Sequence, residues 1–213
     1  MGINLLFATP FHRVKPVGAE KMNAELDELI LLLESSSDRK KNSPQPMHDE
    51  VFESEFDFLG RSEPVVKEFK EVVYSHLAGF VKSANRIDED DLSKLKFNNH
   101  CWFHVTRKGG YFQPHNHPNA SWSLVYYVNP GDDDLPESKE AGHIVFDDPR
   151  PQASSFMDIS NDNMSREMTF NPVRLRPNKG EMIIFPSYLK HWVEPYMGDS
   201  PRITIAANFW FYK

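Results

Sequence analysis

Cysteine is almost missing. Cys101 is the single one in 213 residues, which excludes a disulfide framework within the chain and a cysteine-rich zinc site. No apolar run approaches the roughly 18 residues of a membrane span. The opening "MGINLLFATPFHRVKPVGAE" has neither a long apolar h-region nor a small-residue cleavage site. Gly2 lacks a Ser or Thr at the sixth position, so no myristoylation signal is formed. Positive charge is also short, with 24 Lys and Arg against 31 Asp and Glu and a net charge of −7. A protein that holds phosphates by charge is usually basic. Nucleic acid and membrane are therefore not expected partners, and a reducing, cytoplasmic home is predicted.

Apolar residues make up 39% of the chain and aromatics 13%, enough for a packed core rather than a disordered composition. The length suits one domain over residues 1–213, with two textures. Residues 1–95 hold an early strand in "INLLFATPFHRV" and two helices. Met22, Leu26, Leu29, Ile30 and Leu33 form one helical stripe. Val65, Val66, Phe69, Val72, Val73, Leu77, Phe80 and Val81 form another, with Ser62 as cap and Pro64 in the first turn. A polar, proline-bearing loop is expected over 35–46.

Residues 96–213 read as short strands rich in β-branched and aromatic residues, separated by Gly109-Gly110, "NPGDDD", "RPNKG" and "MGDSP". Helices followed by many short strands predict a mainly β protein with N-terminal helices and a barrel or jelly-roll core. Residues 151–171 are too polar for a core. They read as a long insertion which, with the loop over 129–142, shapes the mouth of a pocket.

The chemistry concentrates in "GGYFQPHNHPNASWSLVYYV", residues 109–128. Residues i and i+2 of a strand share a face, so His115 and His117 present two imidazoles together and can seed a metal site. Two solvated histidines at a strand end are the bland alternative. His191 opens a strand after the apolar run Met182–Phe185 and Pro186, a corner that can carry a third imidazole toward the first two. Imidazole suits iron, zinc, copper or nickel.

In "RITIAANFWF", alternation puts Arg202, Thr204, Ala206 and Asn208 on one face and Ile203, Ile205, Ala207 and Phe209 on the other. The first face is polar yet narrow, which fits the wall of a small polar cavity. An arginine there can pair with a ligand carboxylate, helped by the Thr204 hydroxyl.

At these residues the chain resembles the iron(II)- and 2-oxoglutarate-dependent oxygenases. Their double-stranded β-helix (jelly-roll, cupin-like) core carries His-x-Asp/Glu, a distal His, and an Arg followed two residues later by Ser or Thr. The series here is His115-Asn116-His117, His191 and Arg202-Ile203-Thr204, with "AGHIVFDDPRP" like the family's central strand and "GEMIIFPSYLKHWVEP" like its distal-His corner. More narrowly, "LFATPF" and "HNHPNASWSLVYYV" are similar to a bacterial and phage subgroup. The resemblance covers about residues 97–212.

It implies Fe(II) held by His115, His117 and His191. It also implies 2-oxoglutarate gripped by Arg202 and Thr204, with Ser123, Tyr126 and Asn208 lining the cofactor pocket. Dioxygen would be the co-substrate, and a small molecule or a protein side chain the group hydroxylated. His117 stands where the family has a carboxylate, so the metal would keep one more unit of positive charge. Asp147 or Asp148 are alternative carboxylates for it. His100, His104 and His143 read as satisfied or surface histidines, and a homodimer through an edge strand or the first helix is left open.

Two other readings remain. Gly109 through His117, with Gly180, Pro186 and His191, echoes the two motifs of a cupin that would use a metal without an oxo acid. A jelly roll with a structural metal and no catalysis is the other.

Overall fold

The computed structural model describes residues 2, 4–36, 49–132, 142–150, 158–165 and 167–213. The expected loop over 35–46 falls outside them from residue 37 on, as do most of the loop over 129–142 and residues 151–157 of the 151–171 insertion. Among the described residues the order is β1 (His12–Val14), α1 (Glu20–Ser36), β2 (Val51–Glu53), α2 (Pro64–Asn85), α3 (Glu89–Ser93), β3 (Lys96–Thr106) and β4 (Phe112–His115). Then come β5 (Trp122–Asn129), β6 (Ile144–Phe146), β7 (Val173–Leu175), β8 (Glu181–Pro186), β9 (His191–Val193) and β10 (Arg202–Tyr212).

Two expectations are corrected, and two elements were not foreseen. The early strand is only three residues long: Pro10 cannot donate to a ladder, and before it Leu5, Leu6 and Phe7 are exposed. Glu63, not Ser62, occupies the N-cap of α2, with Pro64 at the first helical position, where its missing N–H costs nothing. Two short elements, β2 and α3, carry too few residues for a period to show.

The strands form two facing antiparallel sheets, a six-stranded one in the order β1-β8-β5-β10-β3-β2 and a four-stranded one in the order β4-β9-β6-β7. From β3 onward the chain passes between the sheets at every connection except β6 to β7. This is the jelly roll expected from the strand texture, in the double-stranded β-helix form that the resemblance implies.

The helices cover the outer face of the large sheet. Leu26, Ile30, Phe69, Val73 and Leu77 pack there against Phe103, Leu124, Tyr126, Ile203, Ile205 and Phe209. Each such side chain contributes about 1.5–3 kcal/mol on burial. Asn23 anchors α1 to the sheet, its Nδ2 donating to the Val128 carbonyl at 2.7 Å. A second cluster lies between the sheets and includes Tyr127, Ile144, Phe146, Leu175, Ile183, Phe185 and Leu189. Central strand β8 is buried at every position, because it is covered on both faces; this explains the continuous apolar run "MIIF".

Candidate functional site

The inner, concave face of the large sheet positions half of the site. In β10, Arg202, Thr204, Ala206 and Asn208 face the small sheet, while Ile203, Ile205, Ala207 and Phe209 join the helix-side core. The alternation expected from the sequence is thus the observed one. The small sheet supplies the rest. His115 ends β4, His191 opens β9, and the two are direct partners across the strand pair.

His117 lies beyond the end of β4. It is held there by a backbone bond: its N–H donates to the Ser187 carbonyl at 2.9 Å, and the Ser187 N–H donates back to Ser121 at 3.1 Å. Loop geometry, rather than strand periodicity, therefore turns the second imidazole inward. The ring centroids lie 4.4 Å apart for His115–His191 and 5.1 Å for each of the other two pairs. One ring nitrogen from each histidine falls within 4.8 Å of the others.

Tautomers are fixed by the backbone. His115 Nδ1 lies 2.6 Å from the Gln113 carbonyl and His191 Nδ1 2.9 Å from the Leu189 carbonyl. A carbonyl only accepts, so both Nδ1 atoms carry the proton and both Nε2 lone pairs are free to ligate. Burial, and then the neighbouring imidazoles, depress the basicity of His117 to about 3 and of His191 to about 4, and burial lowers that of His115. All three rings are therefore neutral near pH 7, the state a metal needs.

Deeper on the same face, Arg202 is 2% exposed. Its guanidinium lies 5.3 Å over the Tyr127 ring. Thr106 is its direct partner across β3 and β10. Arg202 Nη2, Tyr127 Oη and Thr106 Oγ1 are all buried with no hydrogen bond of good geometry, and the guanidinium and the phenol are close polar neighbours of one another. Burial pushes the Tyr127 phenol up to about 12, opposed by the nearby guanidinium, and burial lowers the Arg202 pKa. Gly142, at φ +65°, packs so closely that a Cβ there would sit 3.1 Å from Arg202 Cδ.

Near the histidines, Ser123 Oγ donates to Asn208 Oδ1 at 2.7 Å and lies 2.8 Å from Ser187 Oγ. One hydroxyl has one proton, so Ser187 is the donor of the second bond.

Of the residues singled out in the sequence, His115, His117, His191, Arg202, Thr204, Ser123 and Asn208 meet on the inner surface. Tyr126 does not. It is fully buried on the helix side, its ring 5.0 Å from that of Phe69, and the inward tyrosine is Tyr127. Asp147 and Asp148 are engaged elsewhere, by Lys190 and Arg150. His104 is one of the satisfied histidines expected, its Nε2 lying 2.9 Å from Glu53 Oε2 and 3.2 Å from Trp102 Nε1.

Thr106, Ser187 and Glu53 escaped the sequence reading. The parity of "HCWFHVT" relative to His104 could have flagged Thr106. The described part of the 151–171 insertion borders a separate cleft of about 700 Å³, lined by Phe11, Phe146, Met164, Met168, Phe170 and Leu189. The three histidines are not among its lining residues.

A family profile described as "Putative 2OG-Fe(II) oxygenase" matches residues 100–208, just over half of the chain. No curated protein sequence matches. Among solved structures, a prolyl-4-hydroxylase from Pseudomonas putida superposes with a TM-score of 0.60 at 13% identity, covering 94% of this chain and 92% of that one. A prolyl hydroxylase from Trichoplax adhaerens, in complex with a hypoxia inducible factor peptide fragment, gives 0.56 at 16% identity, covering 95% and 84%. HygX from Streptomyces hygroscopicus, with nickel, 2-oxoglutarate and hygromycin B bound, gives 0.52 at 12% identity, covering 95% and 83%. At these identities the likeness establishes the double-stranded β-helix.

Proposed function

The chain belongs to the 2OG-Fe(II) oxygenase family, and we propose that His115, His117 and His191 hold its iron while Arg202 takes the distal carboxylate of its 2-oxoglutarate. The observation that carries this reading is the orphaned trio of Arg202 Nη2, Tyr127 Oη and Thr106 Oγ1. A buried guanidinium is costly unless paired, and a buried unmet donor costs about 1–3 kcal/mol. One carboxylate would satisfy all three donors. No acidic side chain is hydrogen-bonded to them among the described residues, which suits the carboxylate of a ligand. The facing imidazoles, with free Nε2 lone pairs, fit a first-row divalent metal.

In this reading the residues divide the work. The backbone carbonyls of Gln113 and Leu189 orient two imidazoles before the metal arrives. Arg202 makes a fork of parallel N–H bonds to the carboxylate, and Thr204 adds a hydroxyl along the same wall. Ser123 holds the Asn208 carbonyl, which turns the Asn208 amide N–H groups toward the open space. Burial of Arg202, Thr204 and Thr106 excludes water from the acid-binding end. When bound, iron(II) and 2-oxoglutarate supply dioxygen activation and one-electron oxidation, chemistry that side chains lack.

The substrate class proposed is a small molecule or a peptide side chain. A cytoplasmic location is part of the same proposal. It rests on the lone Cys101, which is buried and free, and no helix among the described residues is long and apolar enough to cross a membrane.

The test is an anaerobic titration of Fe(II) and 2-oxoglutarate, followed by exposure to air and assay of succinate. The reading expects both to bind and succinate to appear. Metal binding without any affinity for the oxo acid would overturn it.

A further inference from the structure

Glu53 is a carboxylate on the inner face that the function above leaves unused; Glu181, the buried carboxylate of β8 on the same face, is already paired with Arg13. It ends β2, paired with His104 of β3. Because His104 pairs with Thr204, Glu53 faces the same interior as the metal-site histidines. Its side chain is 9% exposed. Oε2 lies 2.9 Å from His104 Nε2, which also lies 3.2 Å from Trp102 Nε1, and Oε1 is buried with no partner. An unmet carboxylate oxygen is the counterpart of the unmet guanidinium nitrogen two register positions away: the interior has an anion-accepting end at Arg202 and a cation-accepting edge at Glu53.

Aromatic rings surround that edge. The His104 ring lies 4.6 Å from Phe112, Trp102 lies 6.1 Å from His117, and Phe56 lies 5.0 Å from Trp102. Phe56 also stacks on His100 at 5.8 Å. The wall thus runs from a metal-site imidazole outward to His100, which is exposed. Beyond Glu53 the same segment continues with exposed Glu55 and Asp57, which deepens the negative potential at the rim.

The geometry points to a substrate that carries a cationic head, an alkylammonium or guanidinium group on an apolar stem. The head would be held by Glu53 Oε1 and the stem would lie on the Trp102–Phe56 wall, beside the metal centre. This rests on the oxygenase reading and extends it to a substrate class. A charge-assisted hydrogen bond and a cation–π contact each favour a cation over its neutral isostere, while Glu53 repels acids.

The experiment is equilibrium binding to the full chain loaded with Zn(II) and 2-oxoglutarate, read by isothermal titration calorimetry. Nα-acetyl-lysine methylamide is compared with Nα-acetyl-norleucine methylamide, and n-pentylamine reports whether a free amine suffices or a peptide frame is needed. The cationic peptide-like probe should bind about 10-fold more tightly than norleucine, and Glu53→Gln should abolish the preference while leaving Zn(II) affinity within about 3-fold.

Equal binding of the two probes by the wild type, or a preference that survives in a folded E53Q variant, overturns the inference. If E53Q does not fold, wild type titrated with the Nε-acetylated form of the lysine probe decides. Acetylation removes the charge and keeps the stem, so it should weaken binding about 10-fold, and equal binding of the two forms overturns the inference. A wild type that binds neither Zn(II) nor 2-oxoglutarate sinks the oxygenase reading as well, whereas one that binds both without preferring lysine sinks this inference alone.

Discussion

The guanidinium of Arg202 lies 5.3 Å over the ring of Tyr127, and Nη2 of one and Oη of the other are buried with no hydrogen bond of good geometry. In the proposed reading the pair is a preorganised acid-binding end. Its donors are in place and dehydrated before any ligand enters, so the desolvation cost is carried by the fold. His115 and His191 lie on the opposite, small sheet and His117 in the loop after β4. Under the proposed reading, metal affinity and oxo acid affinity are thereby lodged in different side chains and can be separated by mutation.

Arg202→Ala should weaken 2-oxoglutarate binding by at least about 30-fold, equivalent to ~2 kcal/mol, the low end for losing one partner of a buried charge pair. Fe(II) affinity in the absence of the oxo acid should change less than about 3-fold. Anaerobic titration of each ligand separately measures both. Arg202→Lys should recover only part of the loss, because an ammonium cannot reproduce the planar fork. Equal loss of the two affinities would make Arg202 structural.

Tyr127→Phe should move stability and affinity in opposite directions. The phenol is fully buried and its Oη is unpaired, so removing the oxygen relieves a penalty of about 1 kcal/mol and raises the melting temperature of the ligand-free protein. The same change deletes a donor to the carboxylate and should weaken 2-oxoglutarate by roughly 5-fold, the worth of about one hydrogen bond. Thermal melts with and without the oxo acid read both effects. A variant destabilised in both states would mean that Oη is already satisfied in the free protein.

His191→Ala and His115→Ala should each abolish stoichiometric metal binding, since each removes one of three ligands and leaves the partner ring unpaired across β4 and β9. His117→Asp is the informative change. It restores the carboxylate that the family has at this position and cancels one unit of charge at the metal. Fe(II) affinity of this variant should exceed that of His117→Ala by about 10-fold or more. Indifference between Asp and Ala at 117 would place His117 outside the ligand set.

The sequence revealed the inner and outer faces of β10 because an 11-residue strand gives alternation room to show, and the buried run of β8 was equally plain. The convergence of His115 and His191 was inferred from a corner and a family pattern, and the strand register supplies its cause. What was illegible was short or relational. β2 has three residues, so Glu53 carried no period to read. Tyr126 and Tyr127 are adjacent and chemically identical, so only the register of β5 against β8 and β10 decides which one faces inward. Thr106 gains its meaning from Arg202, nearly 100 residues away in sequence.

Acid should destabilise the metal-free protein through its own ligands. His117 and His191 are depressed to about 3 and about 4 by burial and mutual repulsion, whereas an unfolded chain protonates histidine near 6.5. Below that value the unfolded state binds more protons, so stability is full at neutral pH and falls as pH drops from about 6.5 toward about 4. Each group costs up to about 1.4 kcal/mol per pH unit in that window. At pH 5.5 the pair therefore removes up to ~3 kcal/mol, enough to lower the melting temperature by several degrees. His117→Gln keeps a polar side chain of similar reach without the titration, and should flatten the melting temperature against pH between about 6.5 and about 5 relative to wild type. If the two profiles are parallel, the acid sensitivity lies elsewhere in the fold and the imidazole cluster is more solvated than its packing indicates.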